Sequence, residues 1–343
     1  MDAKHLSVAD RLLGWYDRNH RSLPWRAAPG DPAPDPYRVW LSEVMLQQTQ
    51  VATVRPYFLG WTARWPSFAA LAAADDGEVM AAWAGLGYYA RARNLLACAR
   101  VVAARGALPD TEGELRKLPG IGDYTAAAIA AIAFGRRAVV VDANVERVVS
   151  RLFAIGEALP GARPAIREAT DSITPDLRAG DFAQAMMDLG SGICTARAPR
   201  CLLCPLRADC AAYARGTPDA YPVKAAKKAK PQRHGTFFWA ERAGQVLLVR
   251  RPDKGLLGGM RALPTGPWEA HDPGTAGAPF AAEWRAIGTV RHGFTHFDLA
   301  CTVVVADAAP DDVAGEWWPV ADLAQAGLPT LFAKGAALVE GMR

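Results

Sequence analysis

The chain has 343 residues, 51% of them apolar, a formal charge of +4 and six cysteines. That size and composition predict two globular domains rather than one, and the charge admits a polyanionic partner without requiring one. No apolar run is long enough to predict a membrane-spanning helix, and residues 1–21 are charged and lack a signal-peptide core; no membrane association and a cytoplasmic location are expected, where cysteines point to a metal site rather than to disulfides.

Residues 6–17 have the spacing of an amphipathic helix. Leu23-Pro24-Trp25-Arg26 and a loop rich in Pro, Asp and Gly follow. Asp35-Pro36 is a cap followed by a first-turn proline, and the helix it starts is predicted to run to about Thr53. Leu41, Val44 and Met45 fall on one face, the core side, while Glu43, Gln47 and Gln50 share another at i, i+4 and i+7. A solvated stripe is the commoner fate of such polar residues, but the unbroken Gln47-Gln48-Thr49-Gln50 run is better suited to hydrogen-bonding base edges. Residues 66–105 predict short Ala-rich helices around Gly85-Leu86-Gly87-Tyr88-Tyr89-Ala90-Arg91-Ala92-Arg93-Asn94. That turn offers aromatics to bases and guanidinium groups to phosphates, although Tyr89 reads equally as a core aromatic.

The stretch from 118 to 147 organises the chain. Leu118-Pro119-Gly120-Ile121-Gly122-Asp123-Tyr124-Thr125 breaks any helix. Its close glycines allow a tight turn that leaves backbone amides uncovered beside the start of an Ala/Ile-rich helix at about 125–134, which suits a phosphate oxygen. The apolar run Ala138-Val139-Val140-Val141 should be buried and delivers Asp142 to the start of a helix predicted over 144–152. Taken singly, the turn is an ordinary helix break and Asp142 an ordinary cap, stabilising by about 1 kcal/mol.

Residues 162–190 are again helical in pattern. Cys194, Cys201, Cys204 and Cys210 then stand in C-x6-C-x2-C-x5-C spacing, interrupted by Pro199 and Pro205. Four thiolates on so compact a loop indicate a metal centre and leave zinc and iron–sulfur open. Cys98 and Cys301 are isolated and read as buried apolar residues. Residues 216–235 carry prolines with Lys224, Lys227, Lys228, Lys230 and Arg233, the composition of an extended basic linker. From Thr236 the pattern has period two. Residues 236–241 and 245–250 flank Arg242-Ala243-Gly244 as a β-hairpin, further strands are predicted near 284–290 and 297–306, and a helix near 329–342.

Together the glycine-rich hairpin, the apolar run and Val141-Asp142 resemble the signature of helix-hairpin-helix base-excision DNA glycosylases. Leu23-Pro24-Trp25-Arg26, Trp40-Leu41-Ser42-Glu43-Val44-Met45-Leu46-Gln47-Gln48-Thr49-Gln50, Gly85-Leu86-Gly87-Tyr88-Tyr89, Asn144 and the four cysteines extend that to a resemblance to the MutY family of adenine DNA glycosylases. In the second half, Gly255-Leu256-Leu257-Gly258-Gly259-Met260 and Phe294-Thr295-His296 resemble that family's Nudix-like domain. The resemblance implies a mainly α helix-hairpin-helix glycosylase domain with an iron–sulfur cluster loop over residues 1–215, a basic interdomain linker over 216–235, and an α+β Nudix-like 8-oxoguanine recognition domain over 236–343. It also selects a 4Fe–4S cluster for the cysteines.

Cleaving a purine N-glycosidic bond requires protonation of the departing base and a negative charge beside the cationic sugar, the two-carboxylate logic of glycoside hydrolysis. By resemblance, Glu43 protonates adenine N7 and activates water, Asp142 stabilises the sugar, Tyr124 and Asn144 position both, and Arg26 contacts the flipped base. Glu43 must then be neutral with substrate bound, so its pKa should be raised by desolvation. Gln48 and Tyr88 would fill the gap left by base flipping, with Thr49 and Leu86 against the opposite base and the Gly120–Gly122 hairpin on a phosphate. Phe294, Thr295 and His296 would read 8-oxoguanine, Thr295 keeping the hydroxyl that many relatives supply from Ser. The implied partner is duplex DNA bearing 8-oxoguanine:adenine or guanine:adenine pairs, bound by a monomer. Related glycosylase/lyases place Lys where this chain has Tyr124, which predicts a monofunctional hydrolase; some relatives carry Lys where it has Glu146, so incidental Schiff-base trapping should be weak. The chain also lacks the acidic helix of active Nudix hydrolases. An endonuclease III-like lyase, a non-catalytic lesion binder and a Nudix hydrolase with an appended DNA-binding domain are the competing readings.

Overall fold

The Ser7 hydroxyl accepts the Asp10 amide at 3.1 Å and the Asp10 carboxylate accepts the Ser7 amide at 3.0 Å, a capping box that starts helix α1 at Val8–Asn19 in this computed structural model. The structure describes residues 7–225, 229–252, 255–306, 309–310 and 312–342, so residue 6 of the helix predicted over 6–17 and Lys227 and Lys228 of the predicted linker lie outside the described residues. The chain divides into two units, Met1–Ala226 and Lys227–Arg343.

The first unit is built from helices. Helix α2, Pro36–Leu46, begins at Asp35, whose carboxylate accepts the Tyr37 amide at 2.9 Å. Next come α3 (Val51–Arg64), α4 (Phe68–Ala72), α5 (Asp76–Ala82), α6 (Tyr89–Arg105) and α7 (Glu112–Leu115). The glycine hairpin leads into α8 (Asp123–Phe134), and the buried Ala138, Val139 and Val140 lead into α9 (Ala143–Leu152). Helices α10 (Arg163–Ile173) and α11 (Ala179–Gly192) complete the bundle, with a short α12 (Ala211–Ala214) after the cysteine loop. Every residue of α8 from Thr125 to Ala133 is buried, which is why its sequence is apolar on all faces. A Cβ on Gly190 of α11 would lie 2.6 Å from that of Asn144 in α9, so a side chain there would push the two helices apart.

Two expectations are corrected. Helix α2 does not continue to Thr53. It ends at Leu46, Gln48 is left-handed with φ 58°, and α3 starts afresh at Val51, so Glu43, Gln47 and Gln50 do not share a helical face. The cause is Arg91 of α6. Its Nη1 donates to the carbonyls of Val44 (3.3 Å), Met45 (2.9 Å) and Gln47, and its Nη2 to Thr49 Oγ1 (3.1 Å) and the Leu86 carbonyl (3.0 Å). One guanidinium thus satisfies the carbonyls that a continuing helix would have bonded. The linker is also shorter than 216–235. Arg151 Nε donates to the carbonyls of Pro218 (2.8 Å) and Tyr221 (3.1 Å), and the Leu159 amide donates to Val223 O at 2.9 Å, tying residues 218–223 to the helical unit.

The second unit is an α+β fold. Strands β1 (Gln232–Arg242), β2 (Gln245–Arg250), β3 (Arg261–Ala262), β4 (Arg285–Gly293), β5 (Asp298–Ala306) and β6 (Glu316–Pro319) form one sheet in the order β3-β2-β1-β5-β4, with β6 also pairing β2. The hairpin between β1 and β2 turns on Ala243 and Gly244, both with positive φ (46° and 73°), as a two-residue turn requires. Strand β1 pairs β5 in parallel, Gln232 against Asp298. Helix α13, Thr330–Glu340, buries Leu331, Phe332, Ala336 and Val339 in this unit's core. No helix forms over residues 263–284. Among the described residues no helix is long and apolar enough to cross a membrane.

Replacing Arg91 with Met keeps bulk but removes every one of these donors. It is expected to destabilise the helical unit by about 3 kcal/mol, read as a lower urea midpoint of the full chain; an unchanged midpoint would mean that the turn is held by something else.

Candidate active site

Helices α2, α8, α9 and α11 enclose a cleft of about 1230 Å³ lined by Glu43, Tyr124, Asp142, Asn144 and Arg26, with the hairpin glycines Gly120 and Gly122 and the Gln47–Gln50 turn at its edges. Glu43 is 7% exposed. The Tyr124 hydroxyl donates to its Oε2 at 2.9 Å. Burial pushes the Glu43 carboxyl up to about 7, opposed by the Tyr124 hydrogen bond, reinforced by the Asp142 charge and opposed again by Arg26. The phenol is in turn pushed well above its ordinary value by burial and by the carboxylates of Glu43 and Asp142, so Tyr124 stays a neutral donor. The cleft therefore holds a carboxyl poised to carry a proton near neutral pH.

Asp142 caps α9. Its Oδ1 accepts the amides of Asn144 (2.9 Å) and Val145 (2.8 Å), and its Oδ2 accepts Asn144 Nδ2 at 2.9 Å. The cap reading and the functional reading are compatible here, because the cap fixes the carboxylate at the cleft. Asn144 Oδ1 accepts from Arg147 Nη2 at 2.8 Å, and Arg147 also donates to the carbonyls of Cys194 (2.7 Å) and Gly190 (2.6 Å). A continuous series of hydrogen bonds thus runs from Asp142 to the cysteine loop.

Arg26 lines the cleft in a fixed pose. Its Nη1 reaches both oxygens of Asp188 at 2.9 and 2.8 Å, and Asp188 also accepts Arg21 Nε at 2.6 Å and the Arg21 amide at 3.1 Å. The Asp188 side chain is 2% exposed. Sequence reasoning passed over Asp188, although an acid within Ala185-Met186-Met187-Asp188-Leu189 is itself a signal, since a charge in an apolar segment needs a partner.

Gln48 (φ 58°) lines the cleft and Tyr88 (φ 49°) lines a neighbouring pocket with Gln47 and Gly120; both are left-handed, a strained state for residues with side chains, and both are exposed, Tyr88 at 64%. Arg91 links them, its guanidinium 5.7 Å from the Tyr88 ring while bonding the Gln47 carbonyl and Thr49. Arg91 is therefore not presented outward as the sequence suggested, whereas Arg93 is exposed. Leu86 also departs from expectation: its side chain is 5% exposed in the core, so only its backbone takes part in this edge. Gly120 has φ 75° and packs on α6, where a Cβ would lie 2.8 Å from that of Asn94. No side chain caps α8 at Gly122, which leaves its first-turn amides open.

The four cysteines are thiols outside any disulfide. Burial raises the thiols of Cys201, Cys204 and Cys210, backbone amides partly offset this at Cys204 and Cys210, and the smaller contributions that the cysteines make to one another, all four meeting at Cys204, show them to be within electrostatic reach. The buried Arg151 joins them, donating to Cys194 Sγ at 3.3 Å and to the Thr195 carbonyl at 2.7 Å. Among the described residues no three His, Cys, Asp or Glu side chains meet at the spacing of a single bound ion.

In the second unit, residues 294–297 form the tip between β4 and β5. The Phe294 amide donates to the Phe297 carbonyl at 2.9 Å, and Lys230 Nζ donates to the Phe294 carbonyl at 2.6 Å. Phe294 stacks on Trp268 at 5.9 Å between centroids, and Thr295 and His296 are exposed at the tip.

Residues 41–174 match the HhH-GPD superfamily base excision DNA repair protein family, and residues 236–337 match the NUDIX domain. The adenine DNA glycosylase of Homo sapiens is 37% identical over 357 residues, covering 85% of this chain and 65% of the relative. That of Mus musculus is 34% identical over 399 residues, covering 97% and 78%, and that of Mycobacterium tuberculosis (strain ATCC 25618 / H37Rv) is 44% identical over 208 residues, covering 59% and 66%. The chain thus spans about 65% of the length of the human relative. A thermostable thymine-DNA glycosylase structure superposes with a TM-score of 0.54 at 29% identity, covering 60% of this chain and 95% of that one. An endonuclease III trapped as a covalent intermediate on DNA gives 0.51 at 24%, covering 61% and 94%, and shares the fold.

Because the folded-state value of Glu43 lies above its ordinary 4.5, this carboxyl favours folding at acid pH, and that contribution is lost as the pH rises toward about 7. Glu43→Gln is therefore expected to be more stable than the parent at pH 8, by up to about 3 kcal/mol, with the gap closing toward pH 4. Urea unfolding at both pH values checks this, and a gap that does not change with pH would contradict the raised value.

Proposed function

The chain belongs to the adenine DNA glycosylases of the HhH-GPD superfamily of base excision DNA repair proteins, and from that premise we propose that it is a monofunctional hydrolase of N-glycosyl bonds. Its substrate is adenine opposite 8-oxoguanine or guanine in duplex DNA, and the repair it starts prevents G:C to T:A transversions. The protein acts as a cytoplasmic monomer. The observation that carries this reading is the buried Glu43 carboxyl, held by Tyr124 and raised to about 7, in one cleft with Asp142.

Adenine inside a duplex is out of reach and must be extruded. Gln48 on the cleft and Tyr88 beside it, both exposed and strained, fill the vacated stack beside Thr49, and the Gly120–Gly122 hairpin holds a phosphate on the open amides of α8. Leu86 contributes through its carbonyl, which Arg91 Nη2 engages at 3.0 Å. Arg26, fixed by Asp188, faces the flipped base. The C1′–N9 bond then breaks with its electron pair leaving on adenine, and the Glu43 proton passes to N7. Asp142 stabilises the cationic sugar. Water adds to C1′ and returns a proton to Glu43, leaving free adenine and an abasic site. Tyr124 has no amine with which to form a Schiff base, so the strand stays intact. Phe294, Thr295 and His296 read 8-oxoguanine from the stacked tip of the second unit.

Cys194, Cys201, Cys204 and Cys210 would hold a 4Fe–4S cluster. The four thiols lie within electrostatic reach of one another, and an arginine donor on Cys194 Sγ suits sulfurs that carry negative charge. The cluster would fix the loop against α9 when bound.

Single-turnover assays on duplexes carrying 8-oxoguanine·adenine, guanine·adenine and thymine glycol·adenine, each with and without alkali, test the reading. Adenine release with strand breaks only after alkali is expected from the first two. Breaks at thymine glycol without alkali would make the chain a lyase, and tight binding without any cleavage a lesion binder. Glu43→Gln should lower the rate by about 10³-fold. The Tyr124 hydrogen bond lowers the Glu43 pKa, so in Tyr124→Phe the acid form persists to higher pH and the alkaline limb of the rate profile should move upward; a limb that stays in place would separate Glu43 from that limb.

A further inference from the structure

Beyond Asp142 the cleft reaches a rim that the chemistry above leaves unused. Glu146, Arg163 and Arg167 line it. Glu146 lies one turn along α9 from the Asp142 cap, roughly 6 Å up the helix axis. Arg163, the first residue of α10, donates from Nε to Glu146 Oε1 at 2.9 Å. The two sides of this pair are unequal: the Glu146 side chain is 16% exposed and that of Arg163 is 65% exposed. The contact uses one face of the guanidinium, and among the described residues no hydrogen bond engages its Nη groups. Arg167, one turn further on α10, is differently placed, with Nη1 donating to the Val139 carbonyl at 3.1 Å and Nη2 4.0 Å from Glu112. Both arginines keep donors to spare, but Arg163 is the more exposed, 65% against 52%, and Arg167 commits one Nη to a backbone carbonyl.

We propose that Arg163 is a phosphate-binding residue that grips a backbone phosphodiester flanking the nucleotide held in the cleft, with Glu146 as its holder in the free protein. This rests on the reading that a flipped nucleotide faces Asp142. A sugar at Asp142 carries phosphates on both sides, and one turn of α9 is the scale that separates a sugar from its phosphate. The free edge of a guanidinium fits two phosphate oxygens at once, and an exposed ion pair is weak enough to rearrange around a stronger anion. Among the described residues the Asp142 oxygens accept from Asn144 and two amides and from no arginine, so no direct guanidinium contact neutralises the carboxylate that must face a cationic sugar.

The test uses the full chain and a duplex with 8-oxoguanine opposite a non-cleavable 2′-fluoroadenosine, titrated between about 50 and 200 mM salt, where each phosphate contact contributes about one to the log–log slope. Arg163→Ala should weaken binding about tenfold and reduce the slope by about one, Arg163→Lys should keep the slope, and Glu146→Gln should bind at least as tightly as the parent. Parental affinity and slope in Arg163→Ala would overturn the proposal, as would weakened binding at unchanged slope with a lower melting temperature, the mark of a strap between α9 and α10. Cleavage of the natural duplex by the parent separates the two ideas. A cleaving parent with an unmoved slope keeps the glycosylase and removes the phosphate site, and a reduced slope in Arg163→Ala of a non-cleaving parent does the reverse.

Discussion

A carboxyl taken out of water has to be neutral or be compensated, and the cleft is arranged around that constraint. Glu43 sits on α2 with 7% exposure. The Tyr124 hydroxyl on α8 satisfies one of its oxygens at 2.9 Å, and Gln47 Nε2 reaches Thr125 Oγ1 at 3.3 Å along the same helix pair. The bond to Tyr124 partly stabilises the charged form while burial opposes it more strongly. The group is left close to neutrality's midpoint, where a proton is given and regained at little cost. An equally buried carboxyl without Tyr124 would hold its proton more tightly, and an exposed one would have lost it.

The same unit distributes its arginines as internal fasteners. Arg91 ends α2 and shapes the Gln47–Gln50 turn, Arg147 and Arg151 fix the cysteine loop to α9, and Arg26 with Arg21 neutralises the buried Asp188. Each works because a guanidinium offers five donors in a plane, enough to satisfy carbonyls from several elements at once. A cysteine loop seated on α9 is consequently connected through Arg147 and Asn144 to the carboxylate of Asp142. Positional order at the loop and positional order at the cleft are parts of one hydrogen-bonded structure.

Much of the fold was legible because it is governed locally. The cap at Asp35, the glycine hairpin ahead of α8, the helix entered at Asp142 and the Ala243-Gly244 hairpin all follow from residues within a few positions of one another. The break after Leu46 was not legible, since nothing in Gln47-Gln48-Thr49-Gln50 forbids a helix. It is imposed by Arg91, more than forty residues away. The inner end of the linker was missed for the same reason, its backbone being held by Arg151 from α9. Leu86, expected by resemblance against the opposite base, is packed in the core of the free protein.

The sequence by itself determined which chemical groups are available: two carboxyls, a tyrosine in place of an amine, four thiols at close spacing and the Phe294-Thr295-His296 segment. Those are properties of residue type and spacing, which the linear order carries. Tertiary structure alone decided what state and direction each group has. The proton affinity of Glu43 depends on burial by α2 and α8 together with a hydroxyl and a charge from elsewhere in the chain. The fixed pose of Arg26 depends on Asp188, and the open face of Arg163 depends on Glu146 taking only one side of it. Desolvation and hydrogen-bond geometry are sums over neighbours in space, and no local pattern encodes them.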